Sequence, residues 1–230
     1  MGLVPLFLRS SIGKKALMAG SGLVLVGFVI AHLAGNLLVY GGPSALNAYA
    51  EKLRHVPALL WGARAFLLAA VAVHIWTSVQ LASENRRARP QRYRLQRMAE
   101  TTLAARTMLP SGFLVLAYLA YHLLHFTFRA VHPELSRATD ALGRHDVYAM
   151  VVLSFQQPPI TFAYVLGMAA VCFHLNHGIG SAAQTLGLTN ERSLLWWARA
   201  GRLLSFALFI GYISIPLAIL LGLVGGPSTR

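Results

Sequence analysis

Apolar residues fall into five long runs, which are separated by shorter polar segments. The runs cover residues 16–40, 58–82, 108–130, 160–183 and 201–224. A helix needs about 20 mostly apolar residues, each adding about 1.5 Å, to cross the hydrocarbon core of a bilayer. The pattern therefore predicts an all-α integral membrane bundle of five transmembrane helices, with residues 1–230 forming one domain.

The polar connections differ in length and charge. Residues 41–57 and 132–159 are longer, mixed in charge and able to form short surface helices, whereas residues 84–106 form a basic cluster. Lys and Arg number 13 on the side of the N-terminus and 7 on the other side. The positive-inside rule therefore predicts a cytoplasmic N-terminus and an external C-terminus. We expect the membrane to be the cytoplasmic membrane of a bacterium.

Composition narrows the possible chemistry. The chain is 56% hydrophobic and only 12% charged. Its net charge of +13 comes from basic residues that lie between the apolar runs, which favours lipid headgroups over nucleic acid as their partner. One cysteine, Cys172, excludes a disulfide framework, a cysteine-ligated iron–sulfur cluster and covalent haem attachment through C-x-x-C-H. The sequence shows no flavin or nucleotide motif and no convincing internal repeat.

Histidines occur within four of the apolar runs, where ionisable side chains are costly and indicate function. His32 and His122 each lie about eight residues before the predicted outer end of a run, and His74 and His174 lie a similar distance before the inner end. A non-covalent haem b needs one histidine on each face, from helices that face each other. The spacing therefore predicts an outer haem between His32 and His122 and an inner haem between His74 and His174.

Two further histidines compete with this assignment. His125 and His177 each lie three residues after a proposed ligand, on nearly the same helix face. If His125 and His177 were the ligands instead, each pairing would shift by about one helical turn, and the two histidines of a pair would no longer lie at the same depth. We interpret them as polar neighbours of haem propionates, quinone or the membrane interface, or as residues at the ends of the spans. Any single histidine is also compatible with a packing role.

Four stretches of the chain carry a resemblance to a known family. They are SSIGKKALMAGSGLVLVGFVIAHLAGNLLVYGGPSALNAYAEKLR, AAVAVHIWTSVQLA, YHLLHF and CFHLNHGIGS. In these stretches, and in the order of its helices, the chain resembles the cytochrome b subunit of succinate dehydrogenases and fumarate reductases. The resemblance is to the variety with a single five-helix anchor and two haems.

The resemblance implies a function and a set of partners. It assigns the four axial ligands to His32, His74, His122 and His174, with the His74 and His174 haem nearest the dehydrogenase. The implied partners are a flavoprotein with FAD, an iron–sulfur subunit and membrane menaquinone or ubiquinone, in a complex that could form a higher oligomer. An acidic residue handles quinone protons in some relatives, and Glu51 is the candidate here, although its spacing from His32 does not match closely.

Several assignments stay open in the sequence. The basic residues 86–97 are either a docking surface for the partner subunits or a charged, lipid-facing segment. The candidates for haem propionate partners are Lys15, Arg64, Arg106, Arg129, Arg199 and Arg202. Rival functions are the cytochrome b anchor of a hydrogenase or formate dehydrogenase, and a transporter whose histidines relay protons. The direction, succinate oxidation or fumarate reduction, is not fixed.

Overall fold

The computed structural model describes residues 10–88 and 107–225, and over these residues the chain is helical. Five helices are long and apolar enough to cross a membrane, as predicted. Shorter helices and turns connect them. The α-helices are α1 (Ser11–Asn36), α2 (Gly42–Arg54), α3 (Pro57–Arg87), α4 (Met108–His122), α5 (Val147–Phe155), α6 (Pro158–Thr185) and α7 (Leu194–Leu220).

Local sequence explains where several helices begin. Ser10 caps α1, because its Oγ accepts a hydrogen bond from the backbone N–H of Gly13 at 2.9 Å. Pro57 and Pro158 open α3 and α6, at the position where a missing N–H removes no helical hydrogen bond. A π-helical turn, Leu123–Thr127, continues α4, so this span ends three residues before the predicted 130.

The two ends of the bundle differ. The N-terminal side carries the start of α1, the end of α3 and the start of α4, and an ion pair between Lys14 and Glu84 joins α1 to α3 there. The C-terminal side carries residues 37–56 and 128–157, which include α2 and α5.

Both long connections contain a short helix, as predicted, but α5 is largely buried and does not lie at the surface. In α5, Met150, Val152, Ser154 and Phe155 are buried rather than exposed. Its apolar residues pack into a core cluster on the C-terminal side, together with Val39 of the short 3-10 segment Leu37–Gly41, Tyr164 of α6, and Ile215 and Ile219 of α7. The second long connection therefore contributes to the core of the bundle.

Helix α6 lies at the centre and packs against α1, α4 and α7, while α3 packs mainly on α1. Glycine allows the close approach of α4 to α6, because a Cβ at Gly167 would collide with the ring of Tyr118. The outward faces are apolar: Phe66, Leu203 and Phe206 are 60%, 71% and 65% exposed. Such faces suit a multi-pass membrane protein.

Candidate functional site: two histidine pairs

Four helices each contribute one of the predicted histidines, and the rings lie together in two pairs. The ring centroids of His32 (α1) and His122 (α4) are 5.9 Å apart, with an angle of 82° between the ring planes. Those of His74 (α3) and His174 (α6) are 6.3 Å apart, at 74°. These are the two pairs that the sequence predicts from depth.

Glycines define the level of each pair along the bundle. A Cβ on Gly22 would lie 3.2 Å from Cε1 of His74, and a Cβ on Gly112 would lie 3.5 Å from Cε1 of His174. His32 follows Gly22 by ten residues and His122 follows Gly112 by ten residues. Ten residues of helix rise about 15 Å. The two pairs therefore lie in different halves of the bundle, with the His74 pair nearer the N-terminal side.

Hydrogen bonds orient the rings of the N-terminal-side pair. The Nδ1 atom of His74 lies 3.1 Å from the carbonyl oxygen of Met18, and Nδ1 of His174 lies 3.0 Å from Oγ of Ser111. Ser111 donates its own hydroxyl hydrogen to the carbonyl of Met108 at 3.0 Å, so its lone pair is left to accept from His174. In both rings Nδ1 is thus the donor, and Nε2 keeps the lone pair that a metal ion would bind.

A repeated motif provides this support. Met18, Ser21 and Gly22 have the same spacing as Met108, Ser111 and Gly112, and each set is followed ten residues later by a histidine. Each set also surrounds the histidine of another helix. This short motif, over residues 18–32 and 108–122, was not recognised from the sequence alone. The motif is the sequence signal that could have identified Ser21 and Ser111 as supporting residues.

Aromatic side chains surround the C-terminal-side pair. His32 stacks on Phe28, with ring centroids 5.2 Å apart and planes at 16°. The Nδ1 atom of His122 lies 3.4 Å from the hydroxyl of Tyr164. Tyr212, whose ring centroid is 6.4 Å from that of His32, donates its hydroxyl hydrogen to the carbonyl of Val29 at 2.7 Å.

The competing histidines differ from the four in their surroundings. His125 is 2% exposed, and its Nδ1 lies 3.0 Å from the Tyr164 hydroxyl while its Nε2 lies 3.2 Å from Oγ of Ser154. Because both ring nitrogens are in hydrogen bonds, His125 has no nitrogen left for a metal ion in this arrangement. His177 lies partly buried on α6.

The donor set fits an iron porphyrin at each pair. In the described part of the chain, no three His, Cys, Asp or Glu side chains lie close enough to hold a metal ion by themselves. A porphyrin supplies four nitrogens, so its iron needs only two axial ligands. With metal–nitrogen bonds of about 2 Å to each ring, the ring centroids would be roughly 6 Å apart. Both pairs match this separation.

The other predicted residues differ in their exposure and contacts. Glu51 is partly exposed on α2, and one of its carboxylate oxygens is 3.6 Å from Nε2 of His55. The guanidinium carbon of Arg64 lies 4.9 Å from the ring centroid of Trp61. Lys15, Arg199 and Arg202 are exposed, whereas Arg129 has a buried Nε. Arg106 and most of the basic segment 86–97 lie outside the described residues.

Comparison of the chain with protein-family models, curated proteins and solved structures gives no match. The histidine pairs and the sequence stretches around them are therefore the features of the chain that indicate a function.

Proposed function

We propose that this chain is the dihaem b membrane anchor of a succinate:quinone oxidoreductase, which passes electrons between an iron–sulfur subunit and membrane quinone. The observation that carries the proposal is the meeting of four histidines from four spans as two ring pairs, with centroids 5.9 and 6.3 Å apart. The sequence resemblance supports the choice of the dehydrogenase. The dicarboxylate site would lie on a flavoprotein partner with FAD.

In this proposal the residues of the chain hold, orient and insulate two haems. When bound, the haem iron supplies one-electron transfer. His74 and His174 would hold the haem nearer the dehydrogenase, and the hydrogen bonds of their Nδ1 atoms would leave Nε2 of each ring available to bind it. His32 and His122 would hold the second haem. Apolar helices around both pairs exclude water, which affects the reduction potentials.

A reduced-minus-oxidised absorption spectrum tests the proposal. Purified complex, reduced with dithionite, should show a Soret band and an α-band of haem b, and acid acetone should extract two haems per copy of the chain. A ratio of one would mean that one pair has a structural role only. A sample with no reducible bands would overturn the proposal and favour a proton-relaying transporter.

Partner analysis separates the proposal from a hydrogenase or formate dehydrogenase anchor. The chain should purify with a flavoprotein that carries FAD and with an iron–sulfur subunit, and the complex should oxidise succinate or reduce fumarate. Co-purification with a nickel or molybdenum subunit instead would leave the two haems in place but assign them to a different dehydrogenase.

Reporter fusions test the proposed orientation. A reporter fused after Arg97 should be active in the cytoplasm, and one fused at the C-terminus should be active outside, because basic residues are concentrated on the N-terminal side. The reverse result would exchange the inner and outer assignments of the two haems without changing their ligands.

A further inference from the structure

A chain of hydrogen bonds connects α5, on the C-terminal side, with His122. Ser154 of α5 is fully buried, and its Oγ donates to the carbonyl of Met150 at 2.7 Å. His125, in the π-helical turn that continues α4, has its Nε2 3.2 Å from that Oγ. The hydroxyl of Tyr164 lies 3.0 Å from Nδ1 of His125 and 3.4 Å from Nδ1 of His122. Side chains from three parts of the fold thus form one path.

The direction of each bond follows from the serine end of the path. The single hydrogen of Ser154 is used on a main-chain carbonyl, so Oγ accepts from Nε2–H of His125. Within the described part of the chain the buried His125 ring bonds only to hydroxyl groups, so it is neutral and its Nδ1 accepts the hydrogen of Tyr164. The Tyr164 oxygen then accepts from Nδ1–H of His122, which leaves Nε2 of His122 with its lone pair.

Contacts at the start of α5 hold the serine in place. Asp146 caps this nine-residue helix by accepting a hydrogen bond from the backbone N–H of Ala149 at 2.9 Å. Asn47 of α2 donates to Asp146 at 3.0 Å and accepts from the backbone N–H of Tyr148 at 2.9 Å. The apolar residues of α5 also pack in the core cluster. Ser154 is therefore presented to His125 by a fixed helix.

We propose that Ser154 is a positioning residue for His122 and acts through His125 and Tyr164. The inference rests on the proposed function, in which His122 holds a haem. A hydroxyl that donates a hydrogen bond is a stronger acceptor, because bonds in a chain polarise one another. A stronger bond at Nδ1 makes an imidazole a more basic ligand, which favours ferric iron. Ser154 therefore lowers the midpoint potential of the haem between His32 and His122.

Removing the serine hydroxyl should reverse this effect. In Ser154→Ala, the hydrogen of His125 has no acceptor at Nε2 and can move to Nδ1, where it would donate to the Tyr164 oxygen. That oxygen then has two donors, and its own hydrogen no longer has an acceptor on His125. The bond from His122 weakens, so the midpoint potential of its haem should become more positive.

The test measures the midpoint potentials of both haems in purified complexes with Ser154→Ala or Ser205→Ala. Ser205 is the matched control, because it is also buried in a helix and donates to the carbonyl four residues earlier, that of Gly201, at 2.8 Å. Ser154→Ala should shift only the haem of His32 and His122, and Ser205→Ala should shift neither haem. Equal shifts in the two variants, or no shift in Ser154→Ala, would overturn the proposal.

A double variant separates positioning from packing. In the described structure Ser154 reaches the Tyr164 hydroxyl only through His125. In a Tyr164→Phe complex, Ser154→Ala should therefore cause no further shift in the potential. A further shift as large as that in the wild-type background would show that Ser154 acts through the packing of α5, and would refute the positioning role.

His125→Phe covers poor assembly of Ser154→Ala, because a phenyl ring has a similar shape and bonds to neither hydroxyl. It should retain two haems and shift the same potential in the positive direction, and an unchanged potential would overturn the proposal. A wild-type complex without haem would refute the proposed function instead. Melting temperatures of the single and double variants of Ser154 and Tyr164 would then test the path: coupled changes support it, and additive changes refute it.

Discussion

The two histidine pairs share their geometry but differ in what holds the rings. On the N-terminal side, His74 is bonded to the main-chain carbonyl of Met18, and His174 to a serine that is itself bonded to a main-chain carbonyl. On the C-terminal side, the ring nitrogen of His122 faces the hydroxyl of Tyr164, which is also 3.0 Å from His125. Main-chain carbonyls, directly for His74 and through Ser111 for His174, hold the first pair, whereas His122 of the second pair faces a side-chain hydroxyl shared with His125.

This difference has a physical consequence. A main-chain carbonyl in a packed helix cannot rotate away, so the orientation of His74 follows from the packing of α1 on α3. Ser154 donates its hydrogen to the carbonyl of Met150 at 2.7 Å and therefore accepts from Nε2 of His125, which leaves Nδ1 of His125 to accept the single hydrogen of the Tyr164 hydroxyl. The Tyr164 oxygen then accepts from Nδ1 of His122, so the orientation of His122 depends on a shared side-chain network. We expect the N-terminal-side pair to respond to changes in helix packing, and the C-terminal-side pair to changes in side-chain hydrogen bonding.

Under the proposed dihaem function, removing an axial histidine should have the largest effect. His74→Ala or His174→Ala should eliminate the haem nearer the dehydrogenase, and His32→Ala or His122→Ala the other, because one imidazole cannot supply both axial bonds. Haem-to-protein ratios should fall from two to one, as measured by pyridine haemochrome spectra. His122→Ala should also stop electron delivery to quinone, while the partner subunits still oxidise succinate with an artificial acceptor.

The matched controls for this experiment are His125→Ala and His177→Ala, which should retain two haems. Loss of a haem in His125→Ala, with both retained in His122→Ala, would show that the ligand on α4 is wrong. Assembly of the ligand variants can suffer, because each leaves a cavity and an unpaired imidazole opposite. Haem ratios must therefore be measured on assembled complex.

Substitution of Gly22 should affect only the N-terminal-side pair, and it should reduce haem binding less than the loss of a ligand does. A side chain at Gly22 meets the His74 ring at 3.2 Å, whereas one at Gly27, on the same helix, meets nothing within 4 Å. Gly22→Val should therefore displace the ring and reduce occupancy or shift the potential of that haem, and Gly27→Val should leave both haems unchanged. Redox titration followed at the α-band measures the effect. Equal effects of the two variants would contradict the positions of the rings.

Sequence patterns predicted the spans well, because five runs of about 20 apolar residues have few alternatives to crossing a membrane. The burial of α5 was missed, since nine residues are too few to show which neighbours they pack against. The conformation of Arg129 was likewise unpredictable, because it depends on how the chain folds back after the π-helical turn.

In the candidate site, the four histidines and their pairing followed from depth, but the groups that hold the rings did not. Serines such as Ser111 bond to carbonyls of their own helix, and only the packing of α4 on α6 brings Ser111 to His174. The ten-residue step shared by the two motifs was available in the sequence. Its meaning depended on knowing that each motif supports a histidine of another helix.

Tyr164→Phe should have a smaller effect, and only on the C-terminal-side pair. The change removes the hydroxyl between His122 and His125, so the buried His125 loses one partner, at a cost of about 1–3 kcal/mol in the free energy of unfolding. The potential of the His32 and His122 haem should shift and the other should not. The control is Tyr40→Phe, which removes an exposed hydroxyl bonded to Ser214 at 2.9 Å. A shift in the other haem would contradict the separation of the two supports.

Acid should weaken the C-terminal side, with the smallest effect of the series. Hydrogen bonds from Arg144, from its side chain first, hold the pKa of Asp140 below the ordinary value of 3.8. Because the folded pKa is lowered, Asp140 stabilises the fold above pH 3.8, and this contribution is lost as pH falls through the lowered value. Melting temperatures of the complex near pH 6 and near pH 3 should therefore differ more in wild type than in Asp140→Asn. An equal difference would mean that the Arg144 pair adds no measurable stability.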